Sequence, residues 1–182
     1  HLLDPETGEY NIPYLEKLIP RVKAVVVNLF FRELGFVIAK GNPLHIGKFE
    51  DLARAGVRFV NRQAGSGTRL LLDHHLEKAG IPSDRIAGYD EDVSTHIEVG
   101  LAVLSGGADT GIATAAVSSL LGLDFVSITR ERFDMICDQS IFFQKGVQAL
   151  VEVLNGDVFR KRVENLGNYD FKSAGRVLYV KP

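Results

Sequence analysis

The sequence predicts an α/β fold with mainly parallel strands, and three observations support this prediction. Apolar runs rich in β-branched residues alternate with segments of helical periodicity from about residue 20 to residue 130. Gly, Asn or Pro residues end most of these segments. Three predicted strand-to-helix junctions carry small or hydroxyl-bearing residues, as in open α/β sheets.

The first forty residues contain a turn-rich opening and two predicted strands. Residues 1–20 (HLLDPETGEYNIPYLEKLIP) indicate a strand end, a turn and a short helix. Residues 22–29 and 33–40 are apolar runs typical of strands that are buried on both faces. The turn Gly41-Asn42-Pro43 follows them.

The rest of the chain continues the alternation of helices and strands. Gly56, Gly80 and the pair Gly106-Gly107 mark helix ends. In chain order the predicted elements are helix 48–55, strand 58–63, helix 69–79, a helix with Ile97, Leu101 and Leu104 on its apolar face, strand 109–114, helix 115–121, strands 125–128 and 132–137, and helices 145–154 and 157–166.

The segment Asn61-Arg62-Gln63-Ala64-Gly65-Ser66-Gly67-Thr68-Arg69 is the sharpest local motif. It joins a predicted strand to a predicted helix, and its glycines allow a ligand to approach the backbone closely. Ser66 or Thr68 can cap the helix, whose first N–H groups and dipole favour an anion. The motif is neither a Walker A loop nor a dinucleotide-binding fingerprint. A plain strand-to-helix turn is the alternative interpretation.

Two further predicted junctions resemble the first. In Asp92-Val93-Ser94-Thr95-His96, Ser94 or Thr95 is the expected N-cap, with Glu98 placed for a capping box. The third junction contains Ala113 and Thr114 at a strand end. Because such junctions meet at the carboxyl edge of a parallel sheet, we expect all three to lie together in a ligand site.

Charge, cysteine content and catalytic motifs narrow the function classes. The net charge is -2 and no Lys/Arg run marks a DNA-binding arm, which argues against direct nucleic-acid contact. Cys137 is the only cysteine, so no intrachain disulfide or cysteine metal site is expected. The five histidines match no zinc-site pattern, and Gly65-Ser66-Gly67 lacks the residue spacing of a nucleophile elbow. We therefore expect neither catalysis nor a bound metal or cofactor.

The segment RFVNRQAGSGTRLLLD (58–73), together with HLLDPETGEYN (1–11) and GNP (41–43), resembles the periplasmic-binding-protein-like domain of molybdenum-related regulators and molybdopterin biosynthesis proteins. The layout is more distantly similar to molybdate- and tungstate-binding proteins. The resemblance implies a type II fold, in which two α/β lobes are joined by crossover strands. It implies lobe one at 1–40 plus 138–182, incomplete at its N-terminal end, and lobe two at 41–137.

The resemblance also implies which residues bind the ligand. Relatives hold oxyanions by N–H and hydroxyl groups at helix starts of both lobes. By position these groups fall at the three junctions, with His1 and Tyr10 facing the cleft from lobe one and with Arg62 or Arg69 able to pair with a larger anion. The expected ligand-binding residues are Ala64, Gly65, Ser66, Gly67, Thr68, Val93, Ser94, Thr95, Ala113, Thr114, His1, Tyr10, Arg62 and Arg69.

The function implied by the resemblance is a non-catalytic binding or sensor module for molybdate, tungstate or a molybdopterin-related species. An accessory domain of a molybdopterin biosynthesis enzyme, a solute receptor of an oxyanion transporter, and an interaction scaffold without ligand are the alternatives. The expected partner is a small anion, with a fused DNA-binding or molybdotransferase domain outside this chain and no membrane contact. The expected location is the cytoplasm, or the periplasm or exterior if a signal peptide precedes residue 1.

Overall fold

The computed structural model describes residues 1–4, 6–163 and 166–182. The chain forms two compact units: unit 1 consists of His1–Arg32 and Glu131–Pro182, and unit 2 consists of Glu33–Arg130. The predicted lobes 1–40 plus 138–182 and 41–137, as the halves of a ligand-binding module, stay a prediction.

Unit 2 is an α/β layer structure around a short sheet. Strand β2 runs parallel to both of its neighbours: Asn61 pairs with Asp92 of β3, and Val60 pairs with Gly111 of β4. The second half of β1 adds an antiparallel strand beside β4, with Phe36 paired to Ile112. The elements are β1 (Ala24–Ile38), β2 (Phe59–Arg62), α2 (Gly67–Ala79), β3 (Asp92–Val93), α3 (His96–Leu104), β4 (Thr110–Thr114), α4 (Ala115–Leu121) and β5 (Asp124–Asp138), of which β1 and β5 continue into unit 1.

The two faces of this sheet bury alternate residues under different helices. One face contributes Phe59 and Ile112 to a core that includes Leu72 of α2. The opposite face contributes Val60 to a core that includes Val99 of α3. This alternation follows from the two-residue period of a strand. It places α2 on one face of the sheet and α3 with α4 on the other.

Unit 1 contains the remaining elements: α1 (Leu15–Leu18), the first part of β1, the second part of β5, α5 (Gln139–Phe142), α6 (Lys145–Asn155), α7 (Asp157–Val163) and β6 (Val177–Val180). Strand β6 pairs antiparallel with β1, where Val25 opposes Val180. Leu15, Ala24 and Val26 form a small buried cluster in this unit.

Two predicted strand pairs are single long strands. Segments 22–29 and 33–40 belong to β1, and segments 125–128 and 132–137 belong to β5; each strand has 15 residues. The prediction of separate strands was wrong because polar residues interrupt both apolar runs. Arg32 and Glu131 sit at these interruptions and neutralise each other, with Nε and Oε2 2.6 Å apart.

Other differences concern short elements and the end of one helix. The predicted helix 48–55 is a 3-10 helix, Phe49–Ala53. Strands β3 and β6 and helix α5 were not predicted, because two to four residues give too little periodicity. The predicted helix 157–166 extends over residues 164 and 165, which lie outside the described residues, as does Pro5 of the opening turn. None of the described helices is long and apolar enough to span a membrane.

Candidate functional site

The three strand-to-helix junctions of unit 2 lie at one edge of its sheet. Strands β2, β3 and β4 are parallel and adjacent, and each ends where a junction begins. Residues 63–68 form the first junction, residues 93–95 the second, and residues 113–114 the third. We call this the junction edge. Sequence analysis predicted that these segments meet, and the parallel pairing brings them together.

The first junction ends in a capped helix with unused donors. Gly65 has a φ of +84° in the left-handed region, which favours glycine. Ser66 is the N-cap of α2, and its Oγ accepts the N–H of Arg69 at 3.2 Å. Among the described residues, the N–H groups of Gly67 and Thr68 have no acceptor. The first turn of α2 therefore presents donors at the junction edge.

The second junction uses the donors of Thr95 and Glu98 internally. Thr95, not Ser94, is the N-cap of α3, and Thr95 Oγ1 accepts the N–H of Glu98 at 3.2 Å. In return Glu98 Oε2 accepts the N–H of Thr95 at 2.6 Å and its hydroxyl at 2.8 Å. These hydrogen bonds hold the pKa of Glu98 below its ordinary value, so this carboxylate is charged at neutral pH.

The third junction passes from strand to helix without a loop. Ala113 is fully buried, and Thr114, the N-cap of α4, is 5% exposed. Among the described residues, no partner of the Thr114 hydroxyl is present, and the same holds for the hydroxyl of Thr68, which is 3% exposed. Helix α4 has only seven residues, so the hydroxyl of Thr114 is the group this junction offers.

The two candidate arginines have different environments. Arg62 lies across the ends of β2 and β3, where its Nη2 donates to the carbonyl of Ser94 at 2.8 Å. Arg69 turns toward α2 and the loop that follows it. Its guanidinium stacks on Tyr89 at 3.9 Å and its Nε donates to Asp73 Oδ1 at 3.2 Å. The packing of Arg69 therefore gives it a role in holding α2, which the sequence did not indicate.

His1 and Tyr10 lie in unit 1, in a polar cluster that the sequence analysis missed. His1 Nδ1 is 2.7 Å from Glu131 Oε1, and the His1 ring stacks on Phe133. The carbonyl of Tyr10 accepts Nη2 of Arg132 at 2.8 Å. The ligand roles predicted for His1 and Tyr10 stay predictions. Charged residues inside two apolar runs were the available sequence signal for this cluster.

Glu131 is a deeply buried acid of that cluster, at 3% exposure. Burial alone raises its pKa, but the hydrogen bond from His1 and the charge of Arg32 outweigh burial and lower it. Among the described residues, including this cluster, no group of three or more His, Cys, Asp or Glu side chains is placed to hold a metal ion.

Comparison with known proteins identifies the family. Residues 1–155 match the PBP superfamily domain, the periplasmic-binding-protein superfamily. The uncharacterized protein YvgK of Bacillus subtilis (strain 168) is 33% identical over 178 residues, which are 98% of this chain and 57% of that protein. The chain thus spans less than two thirds of the length of this relative.

Solved structures support the same fold. A Clostridium perfringens protein described as a phosphate ABC transporter substrate-binding protein, with bound phosphate, aligns with a TM-score of 0.59 at 12% identity, over 82% of this chain and 72% of that one. The ancestral amino acid-binding protein AncCDT-1, a precursor of cyclohexadienyl dehydratase, aligns with a TM-score of 0.57 at 17% identity, over 87% and 66%. The architecture is the type II periplasmic-binding-protein fold, as predicted. The chain belongs to the PBP superfamily.

Proposed function

We propose that unit 2 binds a small anion at the junction edge and that the chain is a binding module rather than an enzyme. The observation that carries this proposal is the pair Thr68 and Thr114. Both residues are more than nine-tenths buried on neighbouring strand-to-helix junctions, and neither hydroxyl has a partner among the described residues. Neither hydroxyl oxygen is among the fully buried atoms that lack a partner, so both oxygens keep accessible surface and can donate to a ligand at this edge.

Two other hydroxyl residues buried in unit 2 differ from Thr68 and Thr114, because each donates to a carbonyl within the protein. Thr110, at the start of β4, donates its hydroxyl to the carbonyl of Val37 at 3.1 Å. Ser118, in α4, donates to the carbonyl of Ala115 at 2.8 Å. The unused hydroxyls are thus the two at the carboxyl edge, where ligands of open α/β sheets bind.

Backbone groups supply the rest of the proposed site. The N–H groups of Gly67 and Thr68 open a 13-residue helix whose dipole favours negative charge. Val93, Ser94 and Thr95 form the second junction, which lies beside the first, so they remain expected neighbours of the ligand. An oxyanion held by several dipoles in a dry site needs no formal countercharge. This chemistry supports a small anion over an apolar ligand.

The identity of the anion is a finer proposal. Molybdate, tungstate and a molybdopterin-related species follow from the resemblance of the sequence motifs. Phosphate joins them because a protein of this fold is described with bound phosphate. Three roles of the whole protein are also proposals: a regulator, an accessory of molybdopterin biosynthesis or a transport receptor. A location in the cytoplasm is likewise a proposal.

Calorimetric titration of the protein with molybdate, tungstate, sulfate and phosphate tests the proposal. We expect saturable 1:1 binding of at least one anion. Arginine, titrated in parallel, tests an amino-acid ligand. Absence of heat with all four anions would contradict the anion proposal.

A matched pair of variants locates the site. Ser66→Asp keeps a good N-cap and adds a negative charge to the first junction. We expect it to weaken anion binding more than tenfold, which corresponds to about 1.4 kcal/mol. Ser83→Asp adds the same charge to the exposed 3-10 helix Ser83–Arg85 and leaves affinity unchanged. Equal affinities of the two variants would place the site elsewhere.

A further inference from the structure

Glu98 occupies the helix end where the second junction would otherwise present donors to a ligand. Its Oε2 accepts both the N–H and the hydroxyl of Thr95. The carboxylate is thus an internal anion at the amino end of α3. A ligand at the junction edge meets this fixed negative charge beside α3, whereas the first turn of α2 contains no acid.

The charge of Glu98 acts directly on the junction edge. Strands β2 and β3 are neighbours, about 4.8 Å apart, so the first and second junctions lie side by side at the junction edge. Arg62, whose Nη2 donates to the carbonyl of Ser94, is an electrostatic neighbour of Glu98. Glu98 is itself exposed, so its field reaches the site through a partly aqueous medium.

We infer that Glu98 is a specificity-determining residue that disfavours doubly charged anions relative to singly charged anions of the same shape. This inference rests on the proposed anion site. The repulsion between Glu98 and a ligand grows with the charge of the ligand, whereas the neutral donors of Gly67, Thr68 and Thr114 recognise its shape. For a separation on the order of 10 Å in a largely aqueous medium, one unit of ligand charge changes affinity by about two- to fourfold.

A cap with no effect on the ligand is the competing account of Glu98, since a Thr and a Glu three residues apart commonly form a capping box. Glu98→Gln separates the two roles. The amide oxygen of Gln can accept the N–H of Thr95, which maintains the cap, but it carries no charge. A purely capping role changes the stability slightly and leaves the charge preference of the site unchanged.

Tungstate and perrhenate are suitable probes, because both are tetrahedral oxyanions of similar size, one doubly and one singly charged. Their dissociation constants are measured by calorimetry for the wild type, Glu98→Gln and Asp84→Asn at low ionic strength, where screening is weak. Asp84 is an exposed acid in the 3-10 helix Ser83–Arg85, and its loss makes the same change in net charge. Thermal unfolding of each variant verifies that it is folded.

We expect Glu98→Gln to raise the affinity for tungstate relative to perrhenate by about two- to fourfold, and Asp84→Asn to leave that ratio unchanged. An unchanged ratio in a folded Glu98→Gln variant that binds both anions would overturn the inference while leaving the proposed function intact. Failure of the wild type to bind either probe or any anion of the earlier titrations would instead remove the proposed function, and this inference with it.

Discussion

Replacing Thr114 with valine should weaken anion binding without destabilising the ligand-free fold. Thr114 is 5% exposed and its hydroxyl has no partner among the described residues. Valine has nearly the same shape, and the Thr114 hydroxyl makes no cap hydrogen bond that the substitution would remove. The free energy of unfolding should therefore change by less than about 0.5 kcal/mol. The lost hydrogen bond to an anion, about 1.5–3 kcal/mol, should lower affinity roughly 10- to 100-fold.

Thr110→Val is the matched control on the same strand. Thr110 is fully buried, and its hydroxyl donates to the carbonyl of Val37. Its replacement should destabilise the fold by about 1 kcal/mol and leave affinity unchanged. Urea denaturation without ligand gives the stabilities, and calorimetry with tungstate and phosphate gives the affinities. If Thr114→Val binds as the wild type does, or is destabilised as much as Thr110→Val, the reasoning about unused hydroxyls is wrong.

Three further expectations concern the fold. Glu131→Gln should lower the free energy of unfolding by about 3–5 kcal/mol in urea denaturation, because it leaves Arg32 buried without its ionic partner. Folding lowers the pKa of Glu131, so the stabilisation by its charged form is present above about pH 4.3 and is lost as the pH falls below that value. The decrease of stability at acid pH should therefore be shallower in Glu131→Gln. Gly111→Ala should cost about 1–3 kcal/mol, because its Cβ would lie 2.7 Å from the carbonyl oxygen of Val60. Gly107→Ala, whose nearest atom would be 3.4 Å away, should change stability by less than about 0.5 kcal/mol in the same assay.

Local sequence signals predicted the helices and the junctions of unit 2 well. Ser66 caps α2 and Gly80, with a φ of +65°, ends it, so the limits of this helix are written in a few adjacent residues. The parallel pairing of β2 with β4 follows from the alternation of strands and helices, whereas β3 is too short to be predicted. From the same alternation, the meeting of three junctions at one edge could be predicted.

Features that depend on distant partners could not be predicted in this way. The continuity of β1 depends on the pairing of Arg32 with Glu131, 99 residues further along the chain. Similarly, Thr110 and Thr114 lie on the same strand, and the sequence does not show that the carbonyl of Val37 accepts the hydroxyl of Thr110. Arg69 looked suited to an anion, but stacking on Tyr89 engages it elsewhere. Tertiary contacts, rather than local preference, determine all three.

The order of the two units along the chain has a consequence for biosynthesis. Unit 2 is one uninterrupted segment, Glu33–Arg130, whereas unit 1 needs its second segment, Glu131–Pro182. A nascent chain therefore carries every residue of unit 2 before half of unit 1 has been translated. Because domains generally fold as units during synthesis, we expect unit 2 to acquire its native structure first on the ribosome. Residues His1–Arg32 of unit 1 can complete their fold only after Glu131–Pro182 has been translated.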